Sequence, residues 1–288
     1  MLNSFDYVHA ETLENALEHL ETGDVDIIPV SGGTDVLVQM RYKTIAPKKL
    51  VDIRDLKDLK EIREDENHIY IGASVTFASI INDKMLQSKI PVLVEASKAV
   101  GSTQIRNAGT LAGNVQTASP AGDGLLALYA LGAKVELISK KGVRQCSLED
   151  FILSPKKTDR RPDEIIKGFI IPKRQWNHQQ FFKKGKRNAL AISIVNGAVL
   201  LNIGEDKTIK DARVALGAVA PTPIRLIRAE KALVGSNCTE DVIQEVKDII
   251  RNDINPISDI RAGKEYRKYI AAVMCGNIIA AARGGMCQ

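Results

Sequence analysis

The sequence is poor in the residues that build metal sites and disulfide frameworks. Its four cysteines, Cys146, Cys238, Cys275 and Cys287, stand apart with no CxxC pair. That spacing argues against a zinc knuckle, a disulfide scaffold and the clustered ligands of an iron–sulfur centre. The four histidines, His9, His19, His68 and His178, are equally dispersed, with no HxH or HExxH pattern, so a metal site built by this chain alone is not expected. If redox metals matter, another chain supplies them. Long apolar runs are also missing: Leu125 to Ala133 and Ile278 to Ala282 fall well short of the roughly 20 residues that span a bilayer. Lys and Arg are absent from the first forty residues, which leaves no basic n-region or Arg-rich transit sequence there. A soluble, cytoplasmic protein with no membrane association is expected.

The common nucleotide and nucleophile signatures are missing as well. No GxGxxG follows a strand, and there is no GxxxxGK[ST] and no GxSxG. A Rossmann domain, a P-loop and a nucleophile elbow are therefore unsupported. Any nucleotide bound here is held by another fold.

What is present is 288 residues with 44% hydrophobic content, enough for two modest domains with real cores. Leu13, Ala16, Leu17 and Leu20 recur at helical spacing, and Asp26 to Val30 is a short apolar strand running into Ser31-Gly32-Gly33,. Further strands are expected at Leu50 to Ile53, His68 to Gly72, Ala133 to Ile138 and Glu164 to Ile171. Helices are expected near Thr76 to Asn82, Pro91 to Val100 and Leu125 to Leu131. The polar segment Gly101 to Gly124 reads as one long functional loop. Pro172 to Gln180 has no periodicity and marks a domain boundary. Beyond it, Ala191 to Ile203 and Lys210 to Ala220 read as antiparallel strands about the turn Gly204-Glu205-Asp206-Lys207. Helical patterns follow at Ala229 to Val234, Glu240 to Arg251 and Glu265 to Arg283. The fold class is α+β.

The net charge of +5 is unevenly spread, because fourteen Lys and Arg face five Asp and Glu between Lys140 and Arg187. Such a band would attract a phosphate-bearing ligand or an acidic partner, or would simply be a solvated face. Without interleaved aromatics it does not point to nucleic acid.

Two glycine-bearing segments carry the strongest local signal for an anion. In Pro29-Val30-Ser31-Gly32-Gly33-Thr34-Asp35-Val36 a strand turns into a helix beginning near Asp35, so that backbone N–H groups and the Thr34 hydroxyl would face a phosphate,. In Thr110-Leu111-Ala112-Gly113-Asn114 a second loop would add the Thr110 hydroxyl, amides and the Asn114 side chain. Taken singly, such glycine pairs mark ordinary turns more often than phosphate sites.

The segments IIPVSGGTDVLVQM, IYIGASVTFASI, GSTQIRNAGTLAGNVQTASPAGDGLLALYALGA and LGAVAPTPIR, in this order, resemble the FAD-binding medium subunits of the molybdenum hydroxylases, the xanthine dehydrogenase family. Related medium subunits serve carbon monoxide and nicotinate dehydrogenases. Arg261 to Arg267 is similar to a stretch of that family's C-terminal domain. The resemblance implies a two-subdomain FAD-binding domain of the vanillyl-alcohol oxidase (PCMH) type over 1–174 and a smaller α+β C-terminal domain over 178–284. It implies non-covalent FAD, with Pro29 to Val36 around the pyrophosphate and Thr110 to Asn114 as the second contact segment. Thr117, Asp123, Ile166 and Lys183 match further contacts. Each also has a plain reading: Asp123 would cap the helix after it, Ile166 alternates like any strand residue, and Lys183, with Lys184 as its rival, belongs to a basic run. Where the family carries a Gly-Gly pair, this chain has Ala112-Gly113; Ala112 is expected to keep φ below zero and so to avoid the left-handed penalty of about 1 kcal/mol.

The resemblance further implies partners: a large molybdopterin-binding subunit and a small [2Fe–2S] subunit, in a dimer of heterotrimers. Electrons would reach FAD from the clusters and pass to NAD+ or another acceptor. The competing readings are a self-contained flavin oxidase and a flavin-free assembly subunit. The LGAVAPTPIR segment leans towards the purine branch. No catalytic acid or base is assigned to this chain.

Overall fold

The computed structural model describes residues 3–187 and 190–284. In chain order the strands are β1 (Asp6–His9), β2 (Ile27–Val30), β3 (Lys49–Asp52), β4 (Ile62–Glu64), β5 (His68–Gly72), β6 (Lys134–Ser139), β7 (Gly142–Ser147), β8 (Ile152–Ser154), β9 (Lys157–Thr158), β10 (Ile165–Pro172), β11 (His178–Lys184), β12 (Val195–Ile203), β13 (Ile209–Gly217) and β14 (Ile224–Arg225). The helices are α1 (Leu13–Leu20), α2 (Val36–Arg41), α3 (Phe77–Asn82), α4 (Lys84–Lys89), α5 (Pro91–Lys98), α6 (Thr103–Ala108), α7 (Leu111–Gln116), α8 (Asp123–Leu131), α9 (Leu148–Phe151), α10 (Ile227–Leu233), α11 (Glu240–Asp253) and α12 (Lys264–Gly284). Helices and strands are both present in both halves of the chain, and most of the strand pairing is antiparallel, as in the α+β class,.

The chain divides into two compact units, and neither is a continuous stretch. The first comprises 1–80, 102–118 and 132–173; the second comprises 81–101, 119–131 and 174–288.

In the first unit, β1, β3 and β2 form a parallel sheet in that order, so their carboxyl ends point the same way. The amphipathic α1 is set by its spacing and by Thr12, whose hydroxyl accepts from the Asn15 N–H at 3.1 Å,. Its Ala16, Leu17 and Leu20 join Val51, Ile53 and Leu59 in a core. A second, antiparallel sheet runs β4-β5-β10-β6-β7. Here β10 is bulged between Ile166 and Gly168, which locally breaks its pairing with β6.

The second unit is built on the antiparallel sheet β11-β12-β13-β14. Its central strand β12 is buried continuously from Val195 to Leu201, because both faces are covered: α10, α11 and α12 pack on one, and α5 and α8 on the other,. Every residue of α8 is buried. Its ends are bonded to sheet side chains, with Asp123 in the first turn meeting Lys183 and Asn196 and the Ala130 carbonyl accepting from Arg213 at 3.4 Å. An acid at the N-terminus and a cation at the C-terminus both complement the helix dipole.

Candidate functional site

The turn after β2 lies at the carboxyl end of the parallel sheet, where open α/β sheets place their ligands. Its two glycines are needed for different reasons. Gly33 sits at φ +67°, a left-handed conformation that side chains resist,. Gly32 has an ordinary φ, but a Cβ there would lie 2.0 Å from the Ala108 carbonyl oxygen. The turn is thus packed directly on the end of α6. Ser31 Oγ donates to Ser74 Oγ at 3.2 Å, and Ser74 Oγ donates to the Ile53 carbonyl at 3.1 Å. Among the described residues, the backbone N–H groups of Ser31, Gly32, Gly33, Thr34 and Asp35 donate to no acceptor of the chain. A run of amides left without partners is costly unless water or a ligand supplies the acceptors.

The second segment differs from the loop expected between Gly101 and Gly124. Ser102 and Thr110 act as caps: Ser102 Oγ accepts from Ile105 N–H at 3.3 Å and Thr110 Oγ1 from Gly113 N–H at 3.0 Å. Two short helices, α6 and α7, therefore occupy half of it, and α8 begins at Asp123. Serine and threonine, which read as loop residues in the sequence, are here helix starts. Leu111, Ala112, Gly113 and Asn114 lie in the first turns of α7. Ala112 is helical and buried, in agreement with the expected negative φ. Among the described residues the left-handed non-glycine of this segment is instead Ala118, at φ +47°.

Asp35 and Thr117 meet. Asp35 occupies the N-cap position of α2 without making a cap bond. Its Oδ2 accepts instead from Thr117 Oγ1 at 3.0 Å and from Gln39 Nε2 at 2.5 Å. The Thr117 hydroxyl is also 2.8 Å from the Gly113 carbonyl. The turn after β2, the α7 segment and Thr117 are therefore brought together in the first unit. Ile166 belongs to the same unit, buried on β10 beside its bulge.

Asp123 and Lys183 form a separate cluster in the second unit. Lys183 Nζ donates to Asp123 Oδ2 at 2.5 Å and to the Ala99 carbonyl at 2.9 Å. Asp123 Oδ1 accepts from Asn196 Nδ2 at 2.7 Å and Ser193 Oγ at 3.2 Å. The carboxylate is thus engaged in an ion pair, and Asp123 is itself the first residue of α8. Burial pushes its pKa up, against the opposing pull of Lys183, Asn196 and Ser193,. Lys184, the rival lysine, is exposed.

Sequence reasoning missed Ser74, Gln39, Ser193 and Asn196. Each is a lone polar residue in an apolar or mixed stretch, and only the fold brings it to its partner. Half of the basic band is paired with acids. Lys140 pairs with Glu21, Lys141 with Asp163, Arg144 with Glu164, Lys167 with Glu136, Lys173 with Glu64, Arg174 with Asp211 and Lys183 with Asp123. Five of these acids, Glu21, Glu136, Glu64, Asp211 and Asp123, lie outside the band.

Among the described residues no group of three or more His, Cys, Asp and Glu is placed to hold a metal ion, and no helix is long and apolar enough to cross a membrane. Cys146 is half-buried, and Cys238 and Cys275 are buried and free. Cys287 lies outside the described residues.

Residues 3–174 match the protein family described as FAD binding domain in molybdopterin dehydrogenase, and residues 180–282 match that described as CO dehydrogenase flavoprotein C-terminal domain. The chain is 33% identical over 272 residues to the nicotinate dehydrogenase FAD-subunit of Eubacterium barkeri, covering 93% of this chain and 92% of that one. It is 30% identical over 294 residues to the xanthine dehydrogenase FAD-binding subunit of Escherichia coli, covering all of both. Among solved structures, reconstituted CO dehydrogenase from Oligotropha carboxidovorans is similar with a TM-score of 0.94 at 28% identity, covering 99% of each chain.

Proposed function

Because the chain belongs to the family of FAD-binding domains of molybdopterin dehydrogenases, we propose that it is the electron-relay subunit of its complex, receiving electrons from [2Fe–2S] clusters and delivering them to NAD+. The coarser identity is plain: it is an FAD-binding medium subunit of the molybdenum hydroxylase family, similar to the xanthine and carbon monoxide dehydrogenase subunits. Bound FAD supplies the redox chemistry, taking up two electrons singly with two protons and giving up a hydride and a proton.

The residues of the turn after β2 fit such a group. The single observation that carries the reading is the run of partnerless amides from Ser31 to Asp35, beside glycines that allow close backbone approach. Amides of this kind accept the charge of a pyrophosphate without a lysine or arginine. In our reading, Pro29 to Val36 wrap the pyrophosphate and the α7 segment from Thr110 to Asn114 supports them. Asp123, Ile166 and Lys183 contribute further contacts. The full-length similarity to FAD-binding subunits of multi-subunit dehydrogenases favours a relay over a self-contained oxidase.

The partners in this reading are a large molybdopterin-binding subunit and a small [2Fe–2S] subunit, in a dimer of heterotrimers. Affinity purification of the tagged chain from its native host tests it. The expected result is co-elution of both subunits in equal amounts, with substrate-dependent NAD+ reduction. A chain that elutes alone and oxidises a substrate unaided would establish the oxidase instead.

A further inference from the structure

We propose that the side chains of Asp35 and Thr117 form a latch that holds the Ser31–Asp35 turn in its ligand-binding shape, each side chain acting on FAD through the other and not by touching it, so that Thr117 is a positioning residue and not the direct contact the resemblance implies; the proposal rests on the FAD reading above. The turn is fixed at its start by the Ser31 to Ser74 hydrogen bond and in its middle by the close approach of Gly32 to Ala108. At its end, Asp35 ties it to the α7 segment, through Thr117 Oγ1 at 3.0 Å.

The chemistry of Asp35 argues against direct contact with phosphate. An ionised carboxylate only accepts hydrogen bonds, and so do phosphate oxygens. Brought near a pyrophosphate without donors between them, the two repel. An aspartate at an N-cap normally accepts from an amide of the first helical turn. Asp35 gives up that bond and turns to Gln39 Nε2 and Thr117 Oγ1. Turning away leaves neighbouring amides without acceptors, as a ligand requires. Thr117 is equally committed: its one hydroxyl proton has two acceptors in reach, Asp35 Oδ2 and the Gly113 carbonyl at 2.8 Å. Donating to the cofactor would break the latch.

A double-mutant cycle on the full chain separates the latch from direct contact. FAD affinity of the cofactor-stripped protein is read by flavin fluorescence. Thr117→Val is expected to weaken binding about tenfold, the worth of one hydrogen bond to a charged group. In an Asp35→Ala background the same change is expected to have no further effect. Thr117→Ser, which keeps the hydroxyl, restores binding to within about threefold of the unaltered chain. Because the contact is exposed, the melting temperature of the cofactor-free protein stays close to that of the parent. An equal loss from Thr117→Val in both backgrounds would mean that Thr117 touches the cofactor itself. No loss in either would mean that the contact is idle. Either outcome overturns the latch, and Thr117→Ala repeats the comparison if Thr117→Val does not fold. An unaltered chain that binds no FAD refutes the FAD reading instead.

Discussion

Asp123 shows how a single residue changes meaning between sequence and structure. Before a helix, an aspartate reads as a cap, and nothing local contradicts that. The fold brings up Lys183, Ser193 and Asn196 from strands β11 and β12 and the preceding connection, and the carboxylate serves them instead. Asn196 in turn requires Gly217 on the neighbouring strand, where a Cβ would stand 2.3 Å from Asn196 Oδ1. The pair is almost dry, Asp123 being 5% and Lys183 17% exposed. Truncating one partner of such a pair leaves the other charge buried and costs about 3–5 kcal/mol. Asp123→Ala is therefore expected to lower unfolding free energy by that amount in urea titrations. Asp123→Asn, which still accepts from Lys183, is expected to lose less. A cost below about 1 kcal/mol for Asp123→Ala would show that the ion pair contributes little to stability.

At the scale of elements, the sequence was legible wherever one periodicity dominated. Helix α1 and strands β2, β5, β12 and β13 follow from apolar spacing, and the Ser31-Gly32-Gly33 turn from its composition. The reason for Gly32 was not legible, because Ala108, which fills the space of its missing Cβ, is remote in the chain. The segment from Gly101 to Gly124 misled for a different reason. Its Ser and Thr residues cap helices too short to show a period. Ala112 is comfortable there because an alanine inside a helix is favoured over glycine by about 1 kcal/mol.

Helices α5 and α8 carry a consequence for dissection of the chain. Both precede residue 174, yet they cover one face of the β11–β14 sheet. A fragment of residues 178–284 would leave Ala198, Leu200 and Ala215 on that face open to water. Buried apolar area stabilises by about 25 cal/mol per Å², and losing it on a whole sheet face exceeds typical domain stability. The fragment is expected to aggregate or to melt without cooperativity in calorimetry. A soluble fragment with a sharp transition would show that the remaining helices suffice.

At the scale of the whole molecule, function was legible only in part. Composition argued against metal sites and membrane spans but named no cofactor. The ordered set of motifs did, and the family matches over 3–174 and 180–282 agree with it. What the structure adds is a physical basis: a turn with free amides and two glycines, held at its start, middle and end by Ser74, Ala108 and Thr117. Half of the basic band, seven of its fourteen Lys and Arg, is engaged in internal ion pairs.

The central claim, that this chain holds FAD on the turn after β2, is tested most directly by flavin content of the purified full-length protein and of its Gly32→Ala variant. The unaltered chain is expected to be yellow and to release about one intact FAD per chain on denaturation. In the variant, the added Cβ meets the Ala108 carbonyl, so the turn must move and flavin is lost while the circular dichroism of the fold is retained. A colourless parent protein that takes up no FAD would contradict the account, as would a variant that binds FAD as well as its parent.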